Sequence, residues 1–135
     1  LAFAKGLGLA LGRPVIGLGC LEVLAAPFAR SPGRTLALLP GRGETACRQV
    51  FQDGIALAPP ALEPLASLAG LAPVARIVGA AGLAEGLLPH AERRASAFPD
   101  IVLAARLATD REPEPLSPLY MRPPDARLPG GRLPA

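Results

Sequence analysis

The sequence has few of the residues that usually build catalytic centres. Its 135 residues include one histidine, two cysteines, no tryptophan and only 4% aromatic residues. Lys5 is the only lysine, and the net charge of +3 reflects scattered arginines, so no basic block indicates a nucleic-acid-binding surface. Cys20 and Cys47 form no CxxC pair and are too few for a disulfide framework. We therefore expect free thiols in a reducing compartment.

The chain opens inside an apolar, helix-like run. It begins Leu1-Ala2-Phe3 with neither an initiator methionine nor a capping residue, so we expect it to be part of a longer protein. Lys5 before an apolar run resembles a signal peptide, but Arg13-Pro14 follows without a small-residue cleavage site. Charged residues interrupt every hydrophobic stretch short of the roughly 20 residues that a membrane helix needs. We therefore expect a cytoplasmic protein with no membrane partner.

The hydrophobic pattern alternates between helical and strand periods. It predicts helices over residues 1–12, 20–29, 63–69 and 98–108, and strands over residues 15–18, 35–39, 45–52 and 74–78. Residues 55–64 are rich in proline and are expected to be irregular, and residues 83–88 are expected to form a short helix or turn. This alternation predicts an α/β layered domain.

Two groups of glycines raise the question of a phosphate site. Gly17 and Gly19 follow a predicted strand and precede a helix, as in a dinucleotide-binding fingerprint. The third glycine of that motif is replaced by Glu22, whose carboxylate would face the pyrophosphate, so a plain turn is favoured. The glycines after a later predicted strand lack the Lys-Ser/Thr of a P-loop and also favour a plain turn; they are Gly79, Gly82 and Gly86.

The remaining reactive side chains are isolated along the sequence. His90 has no metal ligands at useful spacing around it, and no serine stands in a GxSxG motif. Cys20 would begin a helix, where a thiol pKa falls, but without a nearby histidine a small packed side chain is favoured. Arg93-Arg94 and the charged run 110–114 are typical of solvated surface. We therefore expect no catalytic residue, no cofactor and no bound metal.

The first predicted helix carries several glycines in its interior. Each such glycine costs about 1 kcal/mol relative to alanine, which indicates a packing reason. Small residues recur every four positions in two sets, Ala2, Gly6, Ala10 and Ala4, Gly8, Gly12. Such ridges let a second helix approach closely. From the residues alone, that helix could belong to the same fold or to a second chain.

The stretch LAFAKGLGLALGRPVIGLGCLEVLA, residues 1–25, resembles the helix–strand–helix segment of the TsaB/TsaD (YeaZ/Gcp) family. In that family an AKGLALAL helix runs into PVIGVS and then LEAL. The run Pro118-Leu119-Tyr120-Met121-Arg122 resembles the family's closing P-x-Y-L-R, so the two matches bracket nearly the whole chain. The family's D-A-R-x-G-E-V-Y segment corresponds to residues 40–46, where its aspartate is replaced.

The resemblance implies an α/β fold of the actin-like ATPase and ribonuclease H-like (ASKHA) class. It implies a Gcp-like domain over residues 1–115, a closing extended motif over 116–122 and a Pro/Gly-rich tail over 123–135. The family's G-P-G-S-F-T-G-L-R motif would precede residue 1, so we expect the domain to be truncated and its amino-terminal lobe to be missing.

The resemblance also separates two branches of the family. The catalytic TsaD-like branch holds a metal with two histidines in an N-H-x-E-G-H pattern, and Cys20 and Leu24 stand at those positions here. The chain is therefore similar to the non-catalytic TsaB branch. That branch pairs with a TsaD-like catalytic subunit and a TsaE-like ATPase to form threonylcarbamoyladenosine next to the tRNA anticodon, and it meets tRNA only through the complex.

The family's dimer contact lies on the first helix. The resemblance implies an interface on the small-residue side of that helix, at Ala4, Lys5, Gly8, Leu11 and Gly12. A homodimer is an alternative to pairing with a TsaD-like subunit. The alternative functions are an active relative, either a TsaD-like carbamoyltransferase or an M22 glycoprotease-like enzyme, and a non-functional fragment.

Overall fold

A computed structural model describes residues 1–96 and 98–121 of the chain. Within them the helices are α1 (Ala2–Leu11), α2 (Cys20–Ala25) and α3 (Ile101–Thr109). The strands are β1 (Thr35–Pro40), β2 (Thr45–Gln52), β3 (Ile55–Ala56), β4 (Ala61–Pro64), β5 (Arg76–Gly79) and β6 (Glu92–Ala95). Short 3-10 helices span Ala26–Phe28, Leu65–Gly70 and Ala81–Ala84.

The strands form one mixed sheet in the order β3-β2-β1-β5-β6, with β4 also paired to β2. β1 and β2 are an antiparallel hairpin, whereas β5 runs parallel to β1, and β6 runs parallel to β5. β1 is therefore central, and its Leu36, Ala37 and Leu38 are fully buried. The alternation of buried residues between the two faces of a strand gives the sheet an apolar core on each side.

The two cores are covered by different elements. On one face Leu21 and Leu24 of α2 pack against Ala37, Phe51 and Val78. On the other face Leu36, Leu38 and Ile77 lie in one cluster with Leu68 and Ala81 of two 3-10 helices. Helices on both sides of a sheet make an α/β layered domain, so the predicted fold class is confirmed.

Several predicted elements differ from the structure. Residues 15–18 were predicted to be a strand but are irregular, because they find no neighbouring strand in the sheet. Residues 55–64 were predicted to be irregular but contain β3 and β4, and β6 was not predicted at all. The predicted helix over 63–69 is a 3-10 helix.

Other predicted boundaries differ less from the structure, or fall on residues that the structure does not describe. α3 begins at Ile101 rather than at residue 98, because the Asp100 carboxylate accepts hydrogen bonds from the Val102 and Leu103 N–H groups. Residues 116–121 form neither a helix nor a strand. Arg122 and the predicted tail 123–135 lie outside the described residues, and the predicted domain boundaries stay predictions.

Arg76 fixes the connection between α2 and β1. Its buried guanidinium donates to the Thr35 Oγ1 atom at 3.1 Å and to the Pro32 carbonyl oxygen at 2.8 Å. It also lies 5.4 Å from the centroid of the Phe28 ring. A buried arginine is tolerated when its donors are paired, so these contacts tie residues 28–35 to β5.

Gly79 allows the two parallel central strands to end side by side. Its φ is +82°, and a Cβ at this position would overlap the carbonyl oxygen of Leu38 in β1. The N–H group of the next residue, Ala80, donates to that same oxygen at 2.9 Å. Gly79 thus combines a left-handed backbone with a close approach, and either feature alone favours glycine.

We predict that Gly79→Ala lowers the free energy of unfolding by about 2–4 kcal/mol, because the added methyl group must displace β1 or force a strained backbone. The matched control is Gly82→Ala, since a Cβ on Gly82 meets no atom within 4 Å. We expect the control to change stability by less than about 0.5 kcal/mol in urea denaturation. Equal effects of the two substitutions would contradict this account.

An ion pair joins β4 to β2. The Arg48 Nε and Nη2 atoms donate to the two Glu63 carboxylate oxygens at 2.7 and 2.8 Å, and the Ser67 hydroxyl donates to Glu63 at 3.1 Å. The hydrogen bond from Arg48 is the main reason that the pKa of Glu63 lies below its ordinary value of 4.5. A two-point arginine–carboxylate contact of this kind also fixes the register of the short strand β4.

Because the pKa of Glu63 is lower in the folded state, its contribution to stability is present above the ordinary pKa and is lost as the pH falls through the folded pKa. We expect Glu63→Gln to cost less than about 1 kcal/mol near pH 7, and a smaller amount at about pH 3. Glu85→Gln, on an exposed turn, is the control. Urea midpoints at the two pH values test this, and an undiminished loss for Glu63→Gln at low pH would refute it.

Candidate functional site

α1 is held at its carboxyl end by a Schellman motif. Gly12 has a φ of +60°, its N–H group bonds to the Leu9 carbonyl oxygen at 3.2 Å, and the Arg13 N–H group bonds to the Gly8 carbonyl oxygen at 2.9 Å. At the other end no side chain caps the helix. Gly12 therefore ends the helix, and its positive φ explains why it is glycine.

One side of α1, here called the inner face, consists of Lys5, Gly8 and Gly12. Gly8 is buried, and a Cβ there would overlap the Val15 side chain and lie 3.0 Å from the Arg13 carbonyl oxygen. The Lys5 Nζ atom donates to the Leu116 carbonyl oxygen at 2.8 Å. Lys5, Gly8 and Gly12 also line a cleft of about 470 Å³ between α1 and residues 113–116.

A second side of α1, here called the outer face, is apolar and uncovered. Phe3, Leu7 and Leu11 are 83%, 48% and 64% exposed. At about 100° per residue, positions four apart lie on one stripe, so these three side chains form a continuous ridge away from the inner face. Large exposed apolar side chains grouped in this way are typical of interaction sites.

The predicted interface residues thus fall on different sides of the helix. Lys5, Gly8 and Gly12 lie on the inner face, where Gly8 is buried against its own chain and Lys5 and Gly12 are exposed. Ala4 is half-buried between the two faces, and Leu11 belongs to the outer face. The close approach predicted for the small residues occurs at Gly8, and it is made by Val15 of the same chain. Contact of any of the five residues with a second chain stays a prediction.

A groove of about 850 Å³ lies beside the start of α2. Its walls include residues 16–21, Leu39 and Cys47 of the hairpin, and residues 110–112 and 114–119. Cys20 is exposed and Cys47 is half-buried, and burial raises the pKa of the Cys47 thiol. The groove is therefore mainly apolar and carries both thiols of the chain.

The turn before α2 is filled by the chain's own groups. A Cβ at Gly17 would lie 2.9 Å from the Leu116 Cδ2 atom, and the Glu22 carboxylate lies near Gly19 at the helix start and pairs with Arg111. The position where a dinucleotide phosphate would bind is thus taken by a leucine and a carboxylate. This arrangement favours the plain turn, although the segment before it is not the strand that was predicted.

The other predicted candidates are spread over the surface. His90 is exposed, and so are Arg93 and Arg94 on β6. Within residues 1–96 and 98–121, no group of three or more His, Cys, Asp or Glu side chains is placed to hold a metal ion. The helices in the same part of the chain are all too short or too polar to cross a membrane.

Residues 40–46, which correspond to the family's acidic segment, run from the end of β1 through a turn over residues 41–44 into the start of β2. The Gly41 N–H group donates to the Thr45 carbonyl oxygen at 2.9 Å, and the Thr45 hydroxyl donates to the Arg42 carbonyl oxygen at 2.8 Å. A Cβ at Gly41 would overlap Thr45, so the turn requires glycine at this position. The segment is therefore a tight connection between the two strands of the hairpin.

Sequence reasoning missed the contacts of residues 110–121 with α1 and α2. This segment was interpreted as a charged linker followed by an extended motif, yet Arg111 pairs with Glu22 and Leu116 contacts Lys5 and Gly17. Nothing in the local pattern of the segment indicates these partners, because they lie about a hundred positions away in the sequence.

Comparison with known proteins shows the fold. No protein-family model matches the chain, and no curated protein matches it. One solved structure, described as an uncharacterized protein with similarity to peptidase YeaZ from Pseudomonas aeruginosa, has a TM-score of 0.67 and 22% identity over 90% of this chain. YeaZ from Pseudomonas aeruginosa has a TM-score of 0.63 and 21% identity over 80% of this chain.

The chain therefore has a YeaZ-like α/β fold, as the resemblance of its sequence implied. Its mixed sheet with helices on both sides is the part of that fold which the described residues form. The chain spans 65% and 56% of the lengths of these two structures, less than two thirds of each.

We predict that Cys20 reacts with a maleimide at least about tenfold faster than Cys47 near pH 8, because Cys47 is half-buried and its raised pKa lowers the thiolate fraction. The variants Cys47→Ser and Cys20→Ser isolate each thiol. Raising the pH beyond 9 should accelerate the reaction of Cys47. Equal rates for the two thiols near pH 8 would contradict the placement of Cys47.

Proposed function

We propose that the chain is a TsaB-type scaffold subunit that pairs with a TsaD-like catalytic subunit through the outer face of α1. The observation that carries the proposal is the uncovered ridge of Phe3, Leu7 and Leu11 on a helix of a YeaZ-like fold. The resemblance of the first 25 residues to the family's dimer-forming segment supports α1 as the location, although Leu11 is the one residue of its implied interface that lies on the outer face.

The physical argument for an interface rests on the kind of residues that α1 exposes. Phe3, the one aromatic residue of α1, is 83% exposed. Leu7 and Leu11 continue the ridge one and two turns further along the helix. Burying apolar surface is favourable by about 25 cal/mol per Å², and aromatic anchors near the centre of an interface carry much of the binding energy. A groove or helix on a partner can cover a ridge at this spacing.

The two positions that correspond to the metal ligands of TsaD-like enzymes support a non-catalytic role. Cys20 is exposed at the first turn of α2, whereas Leu24, one turn later, is buried against Ala37 and Val78 of the sheet. A metal ligand at position 24 would need a polar side chain inside this apolar core, which is costly unless it is paired. In the proposed function the chemistry therefore belongs to the partner subunit.

The composition of the assembly, its tRNA substrate and its compartment are part of the same proposal. The assembly would include a TsaE-like ATPase, would act on the adenosine next to the tRNA anticodon in the cytoplasm, and would meet tRNA through the complex. The chain's scattered arginines fit this indirect role better than direct RNA binding, which usually uses a clustered basic surface. Self-association through the same ridge is the alternative outcome for α1.

We predict that Leu7→Asp weakens binding to a TsaD-like subunit by at least about thirtyfold, because it places a carboxylate in the centre of the apolar ridge. Leu57→Asp is a matched control, since Leu57 is 49% exposed and Leu7 is 48% exposed. Isothermal titration or co-purification measures the binding.

The same pair of variants separates the alternatives. Loss of self-association by Leu7→Asp in sedimentation, with no effect on the TsaD-like subunit, would assign the ridge to a homodimer. If Leu7→Asp and Leu57→Asp bind the TsaD-like subunit equally well, the proposed interface is wrong.

A further inference from the structure

β6 is an exposed edge of the sheet. All four of its residues are exposed, and β5 is the only strand beside it in the described part of the chain. The Glu92 N–H group donates to the Ala75 carbonyl oxygen at 2.9 Å, on the side of β5. Because the backbone groups of successive strand residues point to opposite sides, those of Arg93 and Ala95 face outward. A second molecule can therefore bind this segment in its extended form without displacing it from the sheet.

Ser96 directly follows β6 and carries an accessible hydroxyl group. Its N–H group donates to the Gly79 carbonyl oxygen at 3.0 Å, so the backbone is still held beside β5 at this residue. Ser96 is exposed, and its hydroxyl donates to the carbonyl oxygen of Phe98, which is 81% exposed, at 2.7 Å. Water can replace a hydrogen bond at the surface at little net cost, so the hydroxyl is available for reaction.

Two exposed arginines precede this hydroxyl. Arg93 and Arg94 stand three and two positions before Ser96. Side chains alternate along a strand, so Arg94 lies on the same side as Ser96 and Arg93 lies on the other. The Arg94 and Glu92 side chains form an ion pair, but they are 59% and 50% exposed, and an exposed pair of this kind is weak. Both guanidinium groups can therefore accept a new carboxylate partner.

The local structure distinguishes Ser96 from two other hydroxyls that have an arginine three positions before them. Thr109 follows Arg106 at this spacing, but both residues belong to α3, and its hydroxyl bonds back to a carbonyl oxygen of that helix. Thr45 follows Arg42 at this spacing, but Thr45 is half-buried in β2. Of the three, Ser96 alone combines an exposed hydroxyl with an extended backbone.

We propose that Ser96 is a phosphorylation site for a serine kinase that recognises arginines two and three positions before the serine and uses ATP as the phosphoryl donor. The Ser96 Oγ atom forms a bond to the γ-phosphorus of ATP, the bond from that phosphorus to the bridging oxygen breaks to release ADP, and a carboxylate of the kinase accepts the hydroxyl proton. Carboxylates in the substrate groove of the kinase pair with Arg93 and Arg94. The proposal goes beyond the proposed function and does not depend on α1.

Phosphorylation reverses the charge of this edge. Residues 92–96 contain two arginines and one glutamate, which give a net charge of +1. A phosphoserine carries about −1.5 to −2 near pH 7, so the segment becomes negative. Because Ser96 and Arg94 lie on the same side of the backbone, the phosphate competes with Glu92 for the Arg94 guanidinium.

The site is tested on the whole chain with ATP and cyclic-AMP-dependent protein kinase, an arginine-directed serine kinase, and the phosphate is mapped by mass spectrometry. We expect modification at Ser96, its loss in Ser96→Ala and its return in Ser96→Thr. We expect Arg93→Ala to lower kcat/KM for phosphorylation by about tenfold or more, because a charge-assisted contact is lost. Arg106→Ala is the matched control, and it should leave kcat/KM unchanged.

Three results would overturn the proposal. They are no incorporation into the folded chain, phosphate mapped to Thr45 or Thr109 in place of Ser96, and an unchanged kcat/KM for Arg93→Ala. Urea midpoints show whether each variant folds. If Ser96→Ala does not fold, Ser96→Thr decides, because the phosphate must then map to the same position.

Discussion

The pairing of β1 with neighbours on both sides is the constraint on which the rest of the structure depends. β1 forms an antiparallel hairpin with β2 and a parallel pair with β5, and the parallel pair ends where Gly79 allows the backbone of β1 to come close. Because Leu36, Ala37 and Leu38 are fully buried, β1 supplies both apolar faces of the sheet. α2 packs on one of these faces, so the sheet determines where α2 begins and where the chain from α1 arrives.

The exposure of the α1 ridge follows from the position of α2 on the sheet. α2 lies against the sheet, but the eleven residues before Gly12 extend beyond it and leave the ridge of α1 uncovered. Three large apolar side chains exposed on one stripe of a helix are typical of an interaction site, and this is the observation on which the proposed function rests. The two positions of a catalytic relative's metal ligands are divided between surface and core, which moves the chemistry to another chain in the proposed function.

The sequence analysis succeeded where one strong pattern determined the structure. α1, α2, the β1–β2 hairpin and the strand ending at Gly79 were predicted from apolar period and turn residues. In α2 and the strands, local preference and burial agree, whereas α1 has the apolar period of a helix but leaves its apolar ridge exposed. The short strands β3, β4 and β6 were missed because they hold only two to four residues each, too few to show an apolar alternation. β3 and β6 are also exposed, whereas β4 is mostly half-buried. Residues 15–18 have a strand's composition but no strand beside them.

The contacts of residues 110–121 with α1 and α2 could not be predicted for a different reason. Arg111 is 89 positions from Glu22, and Leu116 is 111 positions from Lys5, so no local period or spacing connects them. The same limit applies to the two faces of α1: the repeat of small residues indicated close packing, but only the fold shows that Val15 of the same chain supplies it at Gly8.

The central claim is that α1 is the surface at which a TsaD-like subunit binds, and amide hydrogen exchange on the mixed proteins tests it most directly. The account predicts slower exchange over Ala2–Leu11 in the mixture than in the free chain, with no change over the exposed edge strand β6. Slower exchange at β6 together with unchanged exchange over α1 would contradict it.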